Sequence, residues 1–293
     1  MHNTFLPGIT VFTPTYNRAK LLGRLYESLK SQSCPELEWL IVDDGSTDDT
    51  KQVVDAFTCE GQLKIRYIYK ENGGKHTAMN VGIREAKHAY FLCIDSDDVL
   101  MPGALSALLA AIQDTPAGII AYKENMETGK QIGDPFPEEL SETTLIELIN
   151  LHRCSGDRTL VYRTELLQPH KIPEPPAQRF FPETWLYDRI DEAHRCKLLP
   201  QALCSCEYQE GGYSHSFRQL MLRNSVSMKW FYADRLDMPL PLKIRFDAAY
   251  RYIAFSLLSP SPLGRYKGKR WLLLAAALPL GIAMALHYGR HRS

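Results

Sequence analysis

The chain has 293 residues, and 45% of them are hydrophobic. A chain of this length can bury one large core, or one core with an appended segment. Its 34 lysines and arginines are balanced by 34 aspartates and glutamates, so the formal net charge is zero. This balance excludes the strongly basic composition that is typical of nucleic-acid-binding proteins, and we expect no nucleic-acid partner.

The seven cysteines are widely spaced, and none of them forms a C-x-x-C pair. An odd number in this arrangement argues against a disulfide framework and against a zinc site. Reduced thiols are typical of the cytosol. The first residues also lack a basic stretch followed by an apolar one. We therefore predict no secretory signal and a cytoplasmic location.

Short β-rich runs alternate with helical patterns along the first part of the chain. The predicted strands are 9–13, 39–42, 65–69, 90–94 and 119–122. The predicted helices are 19–32, a helix capped by Thr47 that runs to about residue 57, 75–86, and one that opens at Pro102. This alternation predicts an α/β fold with a mostly parallel sheet and helices on both faces. The proline-rich stretch 171–186 is predicted to be loop, and 216–258 returns to helical patterning.

Three polar clusters come directly after predicted strands, at 13–18, 43–46 and 95–98. Ligands of open parallel sheets bind beyond the carboxyl ends of the strands. The clusters are far apart in sequence, yet such a sheet brings the ends of its strands to one edge. We therefore predict that the three clusters form one binding site.

The segment 95–98 contains three carboxylates in four residues: Asp95, Asp97 and Asp98. Such carboxylates repel one another unless a cation joins them. Mg²⁺ and Mn²⁺ use one or two protein carboxylates and complete their shell with phosphate oxygen and water. A diphosphate leaving group needs this compensating charge. The alternative is a turn whose aspartates cap the following helix.

The other two clusters suit a nucleoside. Asp43 and Asp44 can accept hydrogen bonds from the N3–H of uracil or from a ribose hydroxyl, whereas residues 46–48 suit a helix cap. Tyr16 can stack on a base, and Pro14 fixes the turn before it. The alternative for each cluster is an ordinary turn between a strand and a helix.

A fourth segment places two glycines, Gly73 and Gly74, directly before a predicted helix. Glycines at a helix start allow the backbone to approach a phosphate, and Lys75 adds a positive charge there. The G-x-x-x-x-G-K-[ST] loop and the G-x-G-x-x-G fingerprint are both absent from the sequence. Two common types of nucleotide site are thereby excluded.

Read together, these segments resemble the family 2 glycosyltransferases of the GT-A fold. The matching strings are TPTYNR at 13–18, LIVDDGSTDDT at 40–50, ENGGKHTAMNVGI at 71–83 and YFLCIDSDDVLMPGAL at 90–105. The resemblance is strong over residues 8–112 and weaker to about 215. It implies a Rossmann-like GT-A domain over 1–215, followed by a helical C-terminal region over 216–293.

The resemblance also implies roles for the matching residues. Donor-binding roles fall on Thr13, Pro14, Tyr16, Asp43, Asp44, Lys75, Asn80 and Asp95. Asp97 would ligate Mn²⁺ or Mg²⁺, with His215 of a later loop as a second ligand. The alternative for His215 is a surface histidine in that loop. Members of the family are generally inverting, so a carboxylate must deprotonate the acceptor hydroxyl.

The catalytic base is the part of the sequence that matches the family pattern least well. Family members usually carry a Glu-Asp pair at a helix start, and the nearest match here is Glu183 followed by Thr184. Glu183 is therefore the candidate base, with Asp188 and Asp191 behind it. The alternative is that Glu183 is a first-turn carboxylate favoured by the helix dipole.

By resemblance, the segment 156–158 faces the acceptor. Asp157 would contact a sugar hydroxyl, or it would only pair with Arg158.

The sequence lacks a Q-x-x-R-W motif and an array of long apolar spans, which favours transfer of a single sugar over processive synthesis. A sugar-phosphate nucleotidyltransferase would need a glycine- and arginine-rich signature that 8–18 lacks.

The resemblance thus implies an enzyme that transfers a sugar, with inversion, from a nucleotide-diphosphate sugar. The expected donor is a UDP-sugar, and the expected acceptor is a saccharide or a lipid-linked saccharide. Such transfer serves the synthesis of cell-surface polysaccharide or glycolipid. The alternative is a non-catalytic nucleotide-sugar binder or scaffold of the same fold. Thr184 favours that alternative, and the acidic segment argues against it.

The segment 271–288 is apolar apart from His287, and basic residues flank it on both sides. A membrane span needs about 17 to 20 apolar residues, so its length is borderline, and Pro279 and Gly281 would kink it. Basic flanks fit a helix that lies on anionic lipid. We expect peripheral attachment to the inner face of the membrane. A buried core helix is the alternative.

Overall fold

The computed structural model describes residues 5–34, 36–112, 117–207, 213–260 and 266–290, without the side chains of 213–216. The chain forms two compact units. The first comprises Met1–Lys171 and Leu186–Gln209, and the second comprises Ile172–Trp185 and Glu210–Ser293. The predicted division into a transferase domain and a helical region at residue 215 stays a prediction.

The strands all belong to the first unit. They are β1 (Leu6–Thr15), β2 (Leu37–Asp43), β3 (Lys64–Tyr69), β4 (His88–Cys93), β5 (Val99–Leu100), β6 (Gly118–Asn125), β7 (Glu142–Thr143), β8 (Arg158–Arg163) and β9 (Cys196–Cys206). Within the described residues these strands form one sheet in the order β3-β2-β1-β4-β8-β6-β9-β5, and β7 pairs with β9.

Among the residues that the structure describes, six helices belong wholly to the first unit. They are α1 (Ala19–Lys30), α2 (Thr50–Glu60), α3 (Lys75–Glu85), α4 (Ala104–Ile112), α5 (Leu145–Asn150) and α6 (Thr164–Leu167). Helix α7 (Thr184–Asp191) begins in the second unit and ends in the first.

The first four strands confirm the predicted α/β fold. β1 pairs in parallel with β2 and with β4, and β2 pairs in parallel with β3. Beyond β4 the sheet is mixed, because β8 runs antiparallel to both β4 and β6. The register places Thr15 opposite Asp43, at the carboxyl ends of β1 and β2. The parallel half therefore brings the first two polar clusters to one edge.

Helices cover both faces of this sheet, as the alternation along β1 shows. Val11 packs in one buried cluster with Leu22 and Leu25 of α1. Phe12 points to the opposite face, since successive strand residues alternate. There it lies against Gly82 of α3, where an added Cβ would collide with the Phe12 ring. The glycine lets α3 pack directly on the sheet.

One predicted helix start differs from the structure. Helix α2 begins at Thr50, three residues after the expected cap. Asp48 accepts the N–H of Thr50 (3.1 Å), whereas the N–H of Thr47 donates to Asn17 (2.8 Å). The prediction that Thr47 caps this helix was wrong, because Asp48 bonds the first turn and Thr47 is bound to the loop after β1.

The second unit is helical over its described C-terminal part. Its helices are α8 (Tyr213–Arg223), α9 (Ser225–Asp237), α10 (Leu242–Leu258) and α11 (Trp271–Gly289). These helices confirm the predicted helical patterning of 216–258. The predicted loop 171–186 is confirmed up to residue 183, whereas its last three residues, 184–186, form the first turn of α7 and were wrongly predicted. All seven cysteines are free, as predicted.

Helix α11 has two different faces. Leu274, Ala277, Gly281 and Ala285 are buried, and a Cβ added to Gly281 would lie 2.6 Å from the Cβ of Ile253 in α10. Small residues therefore let the two helices approach closely. Several large apolar side chains are exposed on its other face: Trp271, Leu272, Leu278, Leu280, Ile282 and Leu286.

Candidate functional site

The loops that follow β1 and β2 are hydrogen-bonded to each other. The N–H of Asn17 donates to the hydroxyl of Ser46 (2.8 Å), and the Asn17 side-chain oxygen accepts the N–H of Thr47 (2.8 Å). Asn17 has a φ of 53°, a conformation that asparagine adopts more readily than most residues. These bonds join the first two polar clusters into one surface.

Of the three predicted nucleoside contacts in the first polar cluster, two lie within β1 and one, Tyr16, lies in the loop after it. Thr13 is fully buried, and its hydroxyl accepts the indole N–H of Trp39 (2.9 Å). Pro14 is also buried. Tyr16, in contrast, is 47% exposed, so its ring is accessible to a nucleobase. Stacking through such a ring is a favourable contact.

Asp43 and Asp44 are both buried at the end of β2. Asp43 accepts the hydroxyl of Tyr67 (2.5 Å) and the N–H of Ser46 (2.7 Å). Burial, and then the bond to Asp43, raise the pKa of Tyr67 above its ordinary range, so the phenol stays a donor. Asp44 accepts the ammonium of Lys70 at 2.6 Å. Both carboxylates are thus engaged within the protein, and their contact with a nucleoside stays a prediction.

The two glycines before α3 also meet Asp44. The N–H groups of Gly73 and Gly74 donate to its carboxylate at 2.9 and 2.7 Å. Gly74 has a φ of 97°, which residues with a Cβ rarely adopt. The anion that these two amides bind in the structure is therefore a carboxylate of the protein. Asn80, further along α3, is partly exposed.

Two lysines neutralise part of the acidic segment after β4. The ammonium of Lys75 lies 2.7 Å from Asp95, and that of Lys123 lies 2.9 Å from Asp98. Burial acts to raise the pKa of Asp95, but the charges of Lys75 and Lys123 together hold it below its usual value. From the sequence, a metal ion was the only positive charge predicted to lie among these carboxylates. It missed Lys123, because a single lysine in a strand carries no recognisable pattern.

Asp97 differs from its two neighbours, since it forms no ion pair with any described side chain. Burial and the charge of Asp95 raise the pKa of Asp97. A divalent cation would offset both effects, so the residue fits a metal ligand. The described residues contain no group of three or more potential ligands. An ion held here would take further ligands from diphosphate and water, as Mg²⁺ commonly does.

The predicted second metal ligand, His215, belongs to helix α8. Its side chain lies outside the part of the chain that the structure describes. Its role as a ligand stays a prediction.

Asp157 lies beside the acidic segment through the same lysine. The ammonium of Lys123 is 2.9 Å from Asp157, whose side chain is 55% exposed. The backbone N–H of Arg158 donates to Asp157 at 3.0 Å. The Arg158 guanidinium instead donates to backbone carbonyls of Ile132, Asp134 and Ser155. Arg158 thus fixes the loop before β8, and Asp157 faces Lys123 and solvent.

The candidate bases are placed differently. Glu183 directly precedes α7, belongs to the second unit and is partly exposed. Asp188 lies within α7, in the first unit, and is only 4% exposed. Asp191 accepts the N–H of Ile146 (2.8 Å) at the start of α5, and burial raises its pKa to about 7. Glu183 is thus more exposed than Asp188, and Asp191 bonds the start of α5.

Sequence comparison adds an independent finding. The profile of glycosyl transferase family 2 matches residues 10–163. The poly(ribitol-phosphate) β-N-acetylglucosaminyltransferase TarS of Staphylococcus aureus is 31% identical over 177 residues, which are 59% of this chain and 29% of that protein. The GalNAc(5)-diNAcBac-PP-undecaprenol β-1,3-glucosyltransferase of Campylobacter jejuni is 28% identical over 174 residues, 58% of this chain and 56% of that protein. The chain thus spans about a third to a half of the length of these relatives.

Solved structures share the fold. S. aureus TarS 1–349 in complex with UDP-GlcNAc superposes with a TM-score of 0.61 at 22% identity, covering 97% of this chain and 88% of that chain. The mannosyltransferase PcManGT of Pyrobaculum calidifontis, in complex with GDP-Man and Mn²⁺, gives 0.58 at 22% identity, covering 99% and 84%. At this identity the likeness establishes the GT-A fold.

Proposed function

Because the chain belongs to glycosyl transferase family 2, we propose that it transfers a single sugar from a nucleotide-diphosphate donor to a saccharide hydroxyl. One observation carries this proposal. The parallel order β2-β1-β4 brings the exposed Tyr16, Lys75 and the acidic segment 95–98 to one edge of the sheet. A base, a diphosphate and a compensating cation need those three kinds of contact.

Each part of the donor has a partner of suitable chemistry. Tyr16 stacks on the base, and Lys75, which lies 2.7 Å from Asp95, supplies positive charge for the diphosphate beside the acidic segment. A divalent ion bound to Asp97 would neutralise charge on the leaving diphosphate. The complexes of TarS with UDP-GlcNAc and of PcManGT with GDP-Man and Mn²⁺ support a nucleotide sugar and a divalent metal, for which Mn²⁺ or Mg²⁺ is proposed. A UDP-sugar is the donor that we propose.

Inversion needs a base that removes the acceptor proton as the new bond forms. We assign this role to Glu183, because Asp188 is buried and Asp191 bonds the start of α5. Asp157, with its exposed carboxylate, is assigned to an acceptor hydroxyl. Glu183→Gln should lower transfer by about 10² to 10⁴-fold while donor binding is kept. Glu192→Gln is the control, and equal transfer by both variants would refute the base assignment.

The donor is tested with a panel of UDP- and GDP-sugars, Mn²⁺ and mono- and oligosaccharide acceptors. We expect release of nucleoside diphosphate with one donor and a glycosylated acceptor in equal amount. A non-catalytic nucleotide-sugar binder is the second candidate, favoured by Thr184 in place of the usual aspartate. Retained donor binding without release from any donor would support that candidate and contradict ours.

The acceptor and the membrane belong to the same proposal. One named relative acts on poly(ribitol-phosphate) and another on an undecaprenol-linked saccharide, which supports a polymer or lipid-linked acceptor in cell-surface synthesis. Within the described residues, α11 is the one helix long and apolar enough to cross a membrane, with a mean hydropathy of 1.7. It packs one face on α10 and exposes the apolar remainder. Attachment of 271–288 to the inner membrane surface fits this division.

Membrane attachment is tested with vesicles that contain anionic lipid. Leu272 and Leu286 are 90% and 62% exposed on α11, so changing both to aspartate should abolish co-sedimentation with the vesicles. Leu242→Asp, at an exposed position of α10, is the control. A chain that ends at residue 264 should behave like the double variant. Its full retention with the vesicles would refute attachment through α11.

A further inference from the structure

Lys123 reaches two loops at once from its position in β6. Its ammonium lies 2.9 Å from Asp98, in the loop after β4, and 2.9 Å from Asp157, directly before β8. β8 lies between β4 and β6 in the sheet. One side chain therefore joins the acidic segment to the loop that carries Asp157.

This ion pair is buried on one side. The side chains of Lys123 and Asp98 are 12% and 6% exposed, in contrast to most surface pairs, which contribute little. An ammonium withdrawn from water is costly unless carboxylates compensate it in fixed geometry. Burial acts to lower the pKa of Lys123, but Asp98 and Asp157 hold it well above the usual value. Lys123 therefore stays charged and keeps both partners.

We propose that Lys123 is a positioning residue for sugar transfer, which sets Asp157 at a fixed distance from the acidic segment. The inference rests on the proposed function, in which Asp157 meets the acceptor and the acidic segment meets the donor diphosphate. Lys123 itself touches neither substrate. Because Lys123 pairs with Asp98 and Lys75 pairs with Asp95, Asp97 is the carboxylate of this segment that would hold a divalent ion.

The link between the loops is measured first without any substrate. Lys123→Met keeps the length of the side chain and removes its charge. Deuterium exchange should become at least fivefold faster in peptides that cover 95–101 and 153–158. Lys197→Met on the neighbouring strand β9 is the control, since the Lys197 ammonium donates to the Ala111 carbonyl (3.3 Å) and Lys197 pairs with Ile119, at the other end of β6 from Lys123. Unchanged exchange in either peptide would overturn the link.

Transfer kinetics then test the role, with the donor and acceptor that the panel identifies. Lys123→Met should raise the acceptor KM about tenfold and change the donor KM less than threefold. Lys123→Arg should restore most of the acceptor KM, because a guanidinium can bind two carboxylates. Asp157→Asn, an exposed change that leaves the fold intact, should reproduce the defect. In the Asp157→Asn background, Lys123→Met should add less than twofold.

The outcomes separate this inference from the proposed function. A wild-type chain that transfers no sugar, although its two loops exchange as predicted, refutes the proposed function and the role with it. Wild-type transfer with an unchanged acceptor KM in Lys123→Met refutes the role alone. Independent, multiplicative defects of the two single variants also refute it, because Lys123 would then act through another residue.

Discussion

Replacing Asp44 by alanine tests whether this carboxylate supports the fold before any nucleotide binds. It removes an acceptor of three short hydrogen bonds, from the ammonium of Lys70 (2.6 Å) and the N–H groups of Gly73 (2.9 Å) and Gly74 (2.7 Å). Removing one partner of a buried ion pair costs about 3 to 5 kcal/mol. Lys70 remains 20% exposed and partly solvated. We therefore expect Asp44→Ala to lower the free energy of unfolding by about 2 to 4 kcal/mol.

Urea unfolding without nucleotide, followed by tryptophan fluorescence, measures this change. Asp44→Asn should fall between wild type and Asp44→Ala, because it keeps one acceptor oxygen and loses the charge. Asp49→Ala, at an exposed position of the same loop, should stay within about 0.5 kcal/mol of wild type. If Asp44→Ala were as stable as Asp49→Ala, its contacts with Lys70 and the glycines would not support the fold. A role limited to the nucleotide would then be correct.

Three further variants test the packing and the buried charges. Asp191→Asn should flatten the pH dependence of stability. Burial raises the pKa of Asp191 to about 7, so between pH 4 and 7 the folded chain holds a proton that the unfolded chain has lost. The stability of wild type therefore falls as the pH rises from about 4 to 7. Between pH 4 and 7 the unfolding free energy, measured by urea unfolding, should fall by roughly 2 to 4 kcal/mol more in wild type than in the variant, and parallel curves would contradict the assignment. Gly281→Leu should lower the Tm of the second unit, since even a Cβ would lie 2.6 Å from that of Ile253 and overpacking costs about 1 to 3 kcal/mol. Ile282→Leu, on the exposed face, should leave the Tm unchanged. Equal Tm values for these two variants would refute close packing of α10 and α11. Tyr67→Phe should destabilise the fold by about 1.5 to 3 kcal/mol, because it removes the hydrogen bond to buried Asp43. Tyr69→Phe, at a residue that is 58% exposed on the same strand, should leave the urea unfolding curve unchanged. Equal effects of the two variants would show that the Tyr67–Asp43 bond does not stabilise the fold.

The parallel half of the fold was predictable because its signals are local. Apolar runs such as 39–42 and 90–94 end in polar residues, and helical spacing fills the gaps between them. In a parallel sheet that order alone brings the strand ends to one edge. The exposed Tyr16 and the pairing of Lys75 with the acidic segment follow from the same order. The mixed half gave no such signal, since antiparallel β8 inserts between β4 and β6 from a distant part of the chain.

The partners of the buried carboxylates could not be predicted from local patterns. Tyr67 meets Asp43 only because β3 pairs with β2, and Lys123 meets Asp98 only because the sheet order brings β6 near β4. The sequence predicted that a positive charge compensates the carboxylates of segment 95–98, but it did not show that lysines supply part of that charge. Nor did the sequence predict that the carboxylate of Asp44 occupies the backbone amides that precede α3, which were expected to bind a phosphate. Such contacts depend on long-range register.

Metal binding by Asp97, which would place a divalent ion on the donor diphosphate, is tested by the chelator dependence of donor cleavage. Nucleoside-diphosphate release from the active donor is followed for wild type and Asp97→Ala, with Mn²⁺ and with excess chelator. Wild type should release nucleoside diphosphate with Mn²⁺, and release should fall at least a hundredfold both in chelator and in the folded variant. Release by Asp97→Ala at the wild-type rate, or release by wild type that is indifferent to chelator, would contradict it.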